Sequence, residues 1–345
     1  MSGTTMQRKK VNLTLWISLA VYVLAFFIPL VIRSPYQLNV VISSMVSAAL
    51  GMAFLITLKA GMINMTVPAF WGLGAYAVAI LVRDTSMSSW LAFPLAIIIT
   101  ALIAFLLGYM LLHSTSSGFS FSMLSQVVTM LFMQILNNVP FFGGKLGFVV
   151  SSPNPIKIPL LGEIRFTGDK IAYFYFGLLT LGVVILIARA FYLSWVGRAW
   201  SSIGMSSQLA SSIGVNLFSY KLTAFVVSST VAGIAGAFFA QFSQYVLPSQ
   251  FSMWQNMYIQ IYAVMGGSDF SIIGPMVGGT FMQIMPEVVR FAETAGTIVT
   301  GLMLMFLVLF LPKGLMSIPG LIIGKINERK REKLAAMAGE GGAEQ

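Results

Sequence analysis

Long apolar segments separated by short polar stretches dominate this sequence and predict a bundle of membrane-spanning helices. Most of these segments approach or exceed the ~20 residues that a helix needs to cross a bilayer. The predicted spans are Leu13–Ile32, Leu38–Leu58, Gly61–Val82, Trp90–Leu112, Phe119–Val139, Tyr173–Leu193, Leu222–Phe242 and Gly296–Leu311. The pattern therefore predicts an all-α, polytopic membrane helix bundle.

One further apolar segment, Tyr258–Val289, is too long for a single span and is interrupted at Gly266–Asp269 and again at Gly274 and Pro275. Either two short spans meet at Asp269 on the cytoplasmic side, or the segment enters and leaves the membrane as a re-entrant pair. We expect about ten spans, with eight plus a re-entrant pair as the alternative. Both arrangements place the two termini on the same side.

A polar stretch of mostly small residues, Gly197–Leu222, lies between two predicted spans and must stand in water. Its apolar residues Trp200, Ile203, Ala210 and Ile213 recur at the spacing of one helical face, which predicts one or two short amphipathic helices. Such a face is suited to receive another protein. The alternative is that the apolar stripe packs on the membrane helices of its own chain.

Basic residues at segment ends and at both termini predict the orientation of the chain. By the positive-inside rule, both termini and the 197–222 stretch are expected to be cytoplasmic. Residues 140–170 then form an external loop, whose alternating apolar residues predict a small hairpin. We expect a transmembrane domain over residues 1–324 and a basic cytoplasmic tail over 325–345, disordered at its end.

The predicted span Gly61–Val82 differs from the others in carrying Asn64, Thr66 and Pro68. Proline removes a backbone donor, and the freed polar groups need protein or water around them, so this span is expected to face the interior. Its small residues are Ala69, Gly72, Gly74 and Ala75. We predict that it contributes to a translocation pathway.

Two other spans carry signals for helix–helix contact. Amides on the fifth predicted span, which lie either along a polar path or between helices, are Gln126, Gln134, Asn137 and Asn138. Small residues four positions apart, Ala232, Gly236 and Ala240, predict a close-packing face.

Glu287, Arg290 and Glu293 predict a surface ion-pair triad or, alternatively, an outer-mouth group.

Composition excludes several classes of protein. With 57% hydrophobic and 9% charged residues and a mean hydropathy of +0.88, the chain is not a soluble domain, where about a quarter of residues are charged. The net charge of +10 does not form an aromatic-interleaved patch, so no nucleic-acid partner is expected. With one histidine and no cysteine, no transition-metal site is expected. The chain has no phosphate-binding loop and no paired-carboxylate site, so no enzyme activity is expected.

The spans also lack charges at their centres. Ion-driven carriers place ionisable residues there because those charges carry the coupling. A self-contained secondary carrier is therefore the less favoured alternative, as is a structural subunit of a larger membrane complex.

Three stretches resemble the permease subunits of bacterial branched-chain amino-acid ABC importers, which are related to the simple-sugar importer permeases. They are AGMINMTVPAFWGLGAYAVAIL (Ala60–Leu81), GRAWSSIGMSSQLASSIGVNLFSYKLTAFVVSSTVAGIAGAFFA (Gly197–Ala240), and MGGSDFSIIGPMVGGTF (Met265–Phe281) with FLPKGL (Phe310–Leu315). The sequence departs from the family in the neutral segment Gly204–Gln208 and in Asn64, Met65 and Pro68. These departures bear on the solute more than on the class.

The resemblance implies a permease of the type II ABC importer kind in the bacterial inner (plasma) membrane, carrying a small polar solute. Branched-chain or related amino acids are the expected cargo, with sugar or nucleoside cargo as the alternative. The implied partners are two ATPase subunits, a second homologous permease or a second copy of this chain, a periplasmic solute-binding protein and the lipid bilayer. The chain itself is expected to bind no cofactor, with ATP and Mg on the partner subunits.

Two sets of site residues are expected, one for the ATPase coupling that the resemblance implies and one for the predicted translocation pathway. The ATPase-coupling segment is 197–219, with Gly197, Arg198, Ala199, Trp200, Ile203, Gly204, Ala210, Ile213, Gly214 and Asn216. The translocation pathway takes Asn64, Thr66, Pro68, Phe70, Gly72, Gly74, Tyr76, Gly266 and Gly267.

Overall fold

The computed structural model describes residues 34–289, with gaps at 86, 116, 159–161, 165, 167–169 and 268–272, and the single positions 26, 27, 29, 301, 302, 305 and 309. The helices are α1 Pro35–Lys59, α2 Val67–Thr85, α3 Ser89–Ser114, α4 Gly118–Asn138, α5 Lys170–Leu193, α6 Trp195–Met205, α7 Ser207–Ser212, α8 Leu217–Ser243, α9 Met253–Gly266 and α10 Ile273–Val289. This helical architecture confirms the predicted all-α class.

Small polar residues set where several helices begin. Ser117, Ser194 and Ser206 accept hydrogen bonds from backbone N–H groups in the first turns of α4, α6 and α7. Asn216 does the same for α8, its Oδ1 accepting from the backbone N of Ser219 at 3.1 Å. A capping side chain satisfies backbone amides that the first turn of a helix leaves free, and so favours a helix start at that position. The caps at Ser194 and Ser206 therefore start two separate short helices within the 194–216 connection. The predicted short helices are thereby confirmed.

Six helices in the described part of the chain, α1 to α5 and α8, are long and apolar enough to cross a membrane. Each overlaps a predicted span. The predicted first span and the predicted last span, Gly296–Leu311, fall outside the described residues except at single positions, so the count of ten is not confirmed. Residues 325–345 also lie outside them.

Helix α1 lies at the centre of the bundle and contacts α5, α8, α9 and α10. Helices α2 and α8 cross closely beside it. Their backbones are so near that a Cβ added to Gly74 would collide with the Gly233 backbone, and one added to Gly236 would collide with the Trp71 carbonyl. Ala232 and Ala240 are also fully buried. The predicted small-residue packing face on α8 is therefore confirmed, with α2 as its partner.

Helices α9 and α10 form a packed antiparallel pair. A Cβ on Gly266 would meet the Gly274 backbone, and one on Gly278 would meet the Tyr262 carbonyl. Helix α9 has 14 residues, fewer than the ~20 that a straight span needs, and α10 has 17 within the described part of the chain. The two-helix division predicted for this segment is confirmed. Asp269, where the helices were expected to meet, lies outside the described residues.

The two ends of the bundle carry different connections. One end, the α6 end, holds the α1–α2 and α3–α4 turns together with α6 and α7. The opposite hairpin end holds β1 (Phe148–Val149) paired antiparallel with β4 (Tyr245–Val246), and β2 (Ile156–Ile158) paired antiparallel with β3 (Gly162–Ile164). The hairpin predicted within residues 140–170 is the β2–β3 pair, and the structure confirms it.

Candidate functional site

Residues 60–66 form an irregular, partly buried segment between α1 and α2, in which Gly61 and Ile63 are exposed and the residues beside them are buried or half-buried. Met62 is 1% exposed, and Asn64 and Thr66 are fully buried. Asn64 Oδ1 accepts hydrogen bonds from the Thr66 backbone N at 2.9 Å and from Thr66 Oγ1 at 2.6 Å. These bonds fold the segment into the start of α2. Irregular backbone at membrane depth is tolerated only where protein or a water-filled cavity satisfies its polar groups.

Side chains from two other helices satisfy the backbone of Met65. Its N–H donates to Ser125 Oγ at 3.1 Å, and its carbonyl oxygen accepts from Thr129 Oγ1 at 2.7 Å and from Asn256 Nδ2 at 2.6 Å. Gln260 Nε2 lies 3.0 Å from Met65 Sδ. We call Met65 with Ser125, Thr129, Asn256 and Gln260 the Met65 junction. Because Thr129 lies near the middle of α4, the junction is at mid-depth in the bundle.

Two amide nitrogens next to the Met65 junction lack hydrogen-bond partners among the described residues. They are Asn64 Nδ2 and Gln126 Nε2, both buried. Gln126 Oε1 is bonded to Asn256 Nδ2 at 3.0 Å, so only the nitrogen of this amide is free. An unpaired buried donor costs about 1–3 kcal/mol. Both nitrogens are therefore available to a polar solute that reaches them.

The side chains at the Met65 junction are all uncharged. Hydroxyl, amide, thioether and carbonyl groups are the chemistry that a path for a small polar solute offers without trapping a charge. An intramembrane carboxylate or cation, by contrast, marks proton relays and ion-coupled carriers.

The pathway residues predicted from sequence separate into two groups in the structure. Asn64 and Thr66 adjoin the Met65 junction. The others make packing contacts: Phe70 with Phe225, Gly72 with Phe251, Gly74 with Gly233, Tyr76 with Phe148, and Gly266 with Gly274, while Pro68 lies in the first turn of α2 and Gly267 is buried at the end of α9.

Sequence reasoning missed most of the Met65 junction. It singled out Gln126 among the amides of α4, but not Ser125, Thr129, Asn256 or Gln260. The available signal is polar residues one helical turn apart in apolar segments, at 125 and 129 and again at 256 and 260.

At the α6 end, the predicted apolar stripe turns inward. Trp200, Ile203 and Ala210 are 0%, 1% and 2% exposed. Trp200 stacks on Phe191 with ring centroids 5.7 Å apart, and its Nε1 donates to the Tyr220 carbonyl at 2.8 Å. The prediction that these three residues receive another protein is wrong, because the chain's own helices cover them. The alternative weighed for this stripe holds instead.

The exposed apolar side chains of this segment are a different set. Met205, Leu209 and Ile213 are 89%, 70% and 76% exposed. We call these three residues the outer α6–α7 surface. Ile213 thus belongs to the outer surface and not to the stripe with which its spacing grouped it. The other predicted coupling residues are Gly197 and Gly204, packed on backbone carbonyls; Arg198, over the Trp195 ring; Ala199, partly exposed; Gly214, with a φ of 86°; and Asn216, the cap of α8.

Charges at the α6 end are of one sign in the described residues. Lys59, Arg189, Arg198 and Lys221 lie there, and the described residues of this end include no Asp or Glu. At the hairpin end, Arg83 pairs with Asp84 at 2.6 Å. The side chains of Glu287, Arg290 and Glu293, predicted as an ion-pair triad or an outer-mouth group, lie outside the described part of the chain. Groups of three or more possible metal ligands are absent from the described residues.

Comparison with known proteins places this architecture in a family. LivM of Salmonella typhimurium, a high-affinity branched-chain amino acid transport system permease protein, is 25% identical over 278 residues, which cover 74% of this chain and 64% of LivM. LivM of Escherichia coli is 24% identical over 282 residues, with the same shares covered. The chain thus spans less than two thirds of the length of these curated relatives.

A weaker similarity points to another solute. The nucleoside ABC transporter permease protein NupC of Lactococcus lactis is 24% identical over 153 residues, which cover 38% of this chain and 47% of NupC. No solved structure matches the chain significantly. The family described as branched-chain amino acid transport system / permease component matches residues 35–311. Because that match covers most of the chain, this protein, a multi-pass membrane protein, belongs to the branched-chain amino acid transport system permease family.

Proposed function

We propose that this chain is a permease subunit of an ATP-driven importer for branched-chain or related amino acids. The observation that carries the proposal is the Met65 junction, where an irregular, partly buried segment meets uncharged polar side chains at mid-depth. Such a site offers hydrogen bonds to a small polar solute, and no described ionisable side chain there supplies ion coupling. The energy for uptake is then proposed to come from a partner.

The outer α6–α7 surface is the proposed contact with the ATPase. Met205, Leu209 and Ile213 are apolar and highly exposed in a connection between spans, where water would otherwise surround them. Three highly exposed apolar side chains within nine residues of the sequence are a candidate interaction surface. The coupling segment 197–219 then divides into an inner face that holds it to the bundle and an outer face for the motor.

The α6 end is proposed to be cytoplasmic and the hairpin end external. The basic residues Arg8, Lys9 and Lys10 precede the predicted span Leu13–Ile32, so this span is expected to lead from the cytoplasm to the outside, where α1 then begins. ATP and Mg are proposed to bind the ATPase subunits and no cofactor this chain. We also propose two ATPase subunits, a second permease or second copy of this chain, and a periplasmic solute-binding protein that delivers the solute to the hairpin end.

A second candidate function is nucleoside import, which the similarity to NupC favours. Amides and hydroxyls at the Met65 junction pair equally well with the hydroxyl and ring nitrogens of a nucleoside. The junction therefore does not by itself choose between the two cargoes, and the matched share of LivM is what favours amino acids.

Reconstitution in vesicles tests the proposal. The chain would be co-expressed with the second permease, the ATPases and the binding protein encoded beside it, and uptake of labelled leucine and adenosine would be measured with and without ATP. We expect ATP-dependent leucine uptake that excess isoleucine inhibits. Adenosine uptake instead would support the second candidate. Uptake by this chain alone, driven by an ion gradient, would contradict both and indicate a secondary carrier.

A further inference from the structure

Helix α6 lies across the ends of three spans and contacts each one differently. Gly197 packs on the last carbonyls of α5, and Trp200 bonds to the Tyr220 carbonyl in α8. Gly204 packs on the carbonyl of Lys59 at the end of α1, so closely that a Cβ would collide with it. A displacement of α6 must therefore displace the end of α1 or break this contact.

The turn that Gly204 contacts is tightly closed. The Gly61 N–H donates to the Leu58 carbonyl at 2.9 Å, and the Met62 N–H donates to the Thr57 carbonyl at 3.0 Å. Gly61 has a φ of 71°, in the region that favours glycine, and a Cβ built on it would lie 3.2 Å from Gly204 Cα. Two glycines thus bring the backbones of α6 and of the turn into direct contact.

Only a short run of chain separates this turn from the Met65 junction. Four residues lead from Gly61 to Met65, and an extended residue spans at most about 3.6 Å. Met62 is buried, and the Asn64–Thr66 bonds fix the shape of the following residues. Because the segment is short and these contacts hold it, we expect a shift of the turn to move Met65 relative to Ser125, Thr129 and Asn256.

We infer that Gly204, through its contact with Gly61 and the Lys59 carbonyl, transmits displacement of α6 to the Met65 junction. Gly204 is thus a positioning residue for the solute path. This inference rests on the proposed function, in which the motor acts on the outer α6–α7 surface. It adds the route by which that action reaches mid-depth in the membrane.

A cysteine reporter at the junction allows a direct test, because the chain contains no cysteine of its own. Ser125 is fully buried and accepts the Met65 N–H bond, and Ser125→Cys keeps nearly the same shape. The rate at which a small thiol reagent modifies this cysteine would be measured in the assembled complex, nucleotide-free and with ATP plus vanadate. We expect nucleotide to change the rate about tenfold, within the range of allosteric coupling energies.

Two variants interrupt the route at different points, and a third is the matched control. Gly204→Ala forces α6 away from the turn, and Met62→Ala removes the buried side chain that holds the segment between the turn and Met65 in place. Gly118→Ala makes the same glycine-to-alanine change near the turn, but its Cβ meets only the Gly61 carbonyl at 3.8 Å, an ordinary contact. We expect the nucleotide response of Ser125→Cys to fall below about twofold in the first two variants and to persist in the third.

Uptake per ATP hydrolysed gives a second readout, without the reporter, and should fall in Gly204→Ala and Met62→Ala but not in Gly118→Ala.

A nucleotide response that persists in both route variants would overturn the inference and leave the proposed function standing. If Gly204→Ala does not assemble, Met62→Ala decides alone. Absence of any nucleotide response in the Ser125→Cys complex, although ATP drives its uptake, would also overturn the inference. Absence of ATP-driven uptake by the unmodified complex would overturn the proposed function as well.

Discussion

The Met65 junction and the outer α6–α7 surface reverse the usual distribution of side chains in opposite ways. At the junction, polar groups are buried at mid-depth among apolar helices, whereas on the outer surface apolar groups are exposed at the end of the bundle. Burying polar groups is unfavourable unless they are paired, and exposing grouped apolar side chains to water is unfavourable until a partner covers them. Both arrangements are therefore unfavourable for the stability of the isolated chain. We assign passage of the solute to the Met65 junction and contact with the ATPase to the outer α6–α7 surface.

The largest expected effect comes from placing a charge on the outer surface. Leu209→Asp should weaken ATPase binding about 30-fold, since hot-spot residues contribute about 2 kcal/mol or more. Co-purification of the ATPase from detergent measures it. Leu146→Asp is the matched control, because Leu146 is 79% exposed at the hairpin end. If the ATPase were lost equally in both variants, the α6 end would not be its specific binding site.

Breaking the Met65 junction at its amide is the next largest change. Asn256→Leu removes the bonds to the Met65 carbonyl and to Gln126 Oε1. We expect uptake to fall about 5- to 30-fold, corresponding to about 1–2 kcal/mol for unsatisfied buried groups. Co-purification of the ATPase should not change. The neighbouring Gln255→Leu serves as control, and an equal fall in its uptake would mean that the junction is not special.

A smaller change at the Met65 junction, Thr129→Val, should lower uptake less than Asn256→Leu does. Thr129→Val removes one of the two donors to the Met65 carbonyl while keeping the shape of the side chain. A net hydrogen bond contributes about 0.5–1.5 kcal/mol, so uptake should fall only about 2- to 10-fold. Uptake kinetics of Thr129→Val and Asn256→Leu measured side by side test the order. A larger loss in Thr129→Val than in Asn256→Leu would contradict the assigned bonds.

The smallest expected effect distinguishes the inner face of α6 from its outer surface. Trp200→Phe keeps an aromatic ring against Phe191 but loses the bond to the Tyr220 carbonyl. We expect a loss of about 1 kcal/mol in the free energy of unfolding and no loss of ATPase binding. Thermal unfolding in detergent and ATPase titration measure the two quantities. Weaker ATPase binding at unchanged stability would place Trp200 in the partner contact instead.

Local patterns in the sequence predicted the helices well. Hydrophobic runs of span length depend only on neighbouring residues, so the segments that became α1 to α5 and α8 were recognisable. The division of Tyr258–Val289 into two helices followed from its glycines and proline. The short helices of the coupling segment followed from periodicity alone.

The direction in which those short helices face was not predictable, for a physical reason. Ser206, with a φ of −160° and a ψ of 112°, separates α6 from α7, so helical spacing does not continue from Ile203 to Ile213. Ile213 moreover follows the last residue of α7. A single periodic stripe therefore grouped residues that the backbone turns to opposite sides.

The Met65 junction was not predictable from the sequence because its members come together only in the folded chain. Met65 and Asn256 are 191 positions apart, and Met65 and Thr129 are 64 apart. Glycines of α2 were assigned to the pathway, whereas Gly72 and Gly74 allow close packing against Phe251 and Gly233. A small residue inside a membrane helix serves either purpose, and only the facing helix decides which.

Single-cysteine labelling in intact cells tests the central claim most directly, because the chain has no native cysteine. Leu209→Cys should resist a membrane-impermeant maleimide applied from outside, react after permeabilisation, and be protected when the ATPase is bound. Leu146→Cys should react from outside. Reaction of Leu209→Cys in sealed cells would put the outer α6–α7 surface beyond reach of an ATP-hydrolysing partner and contradict the account.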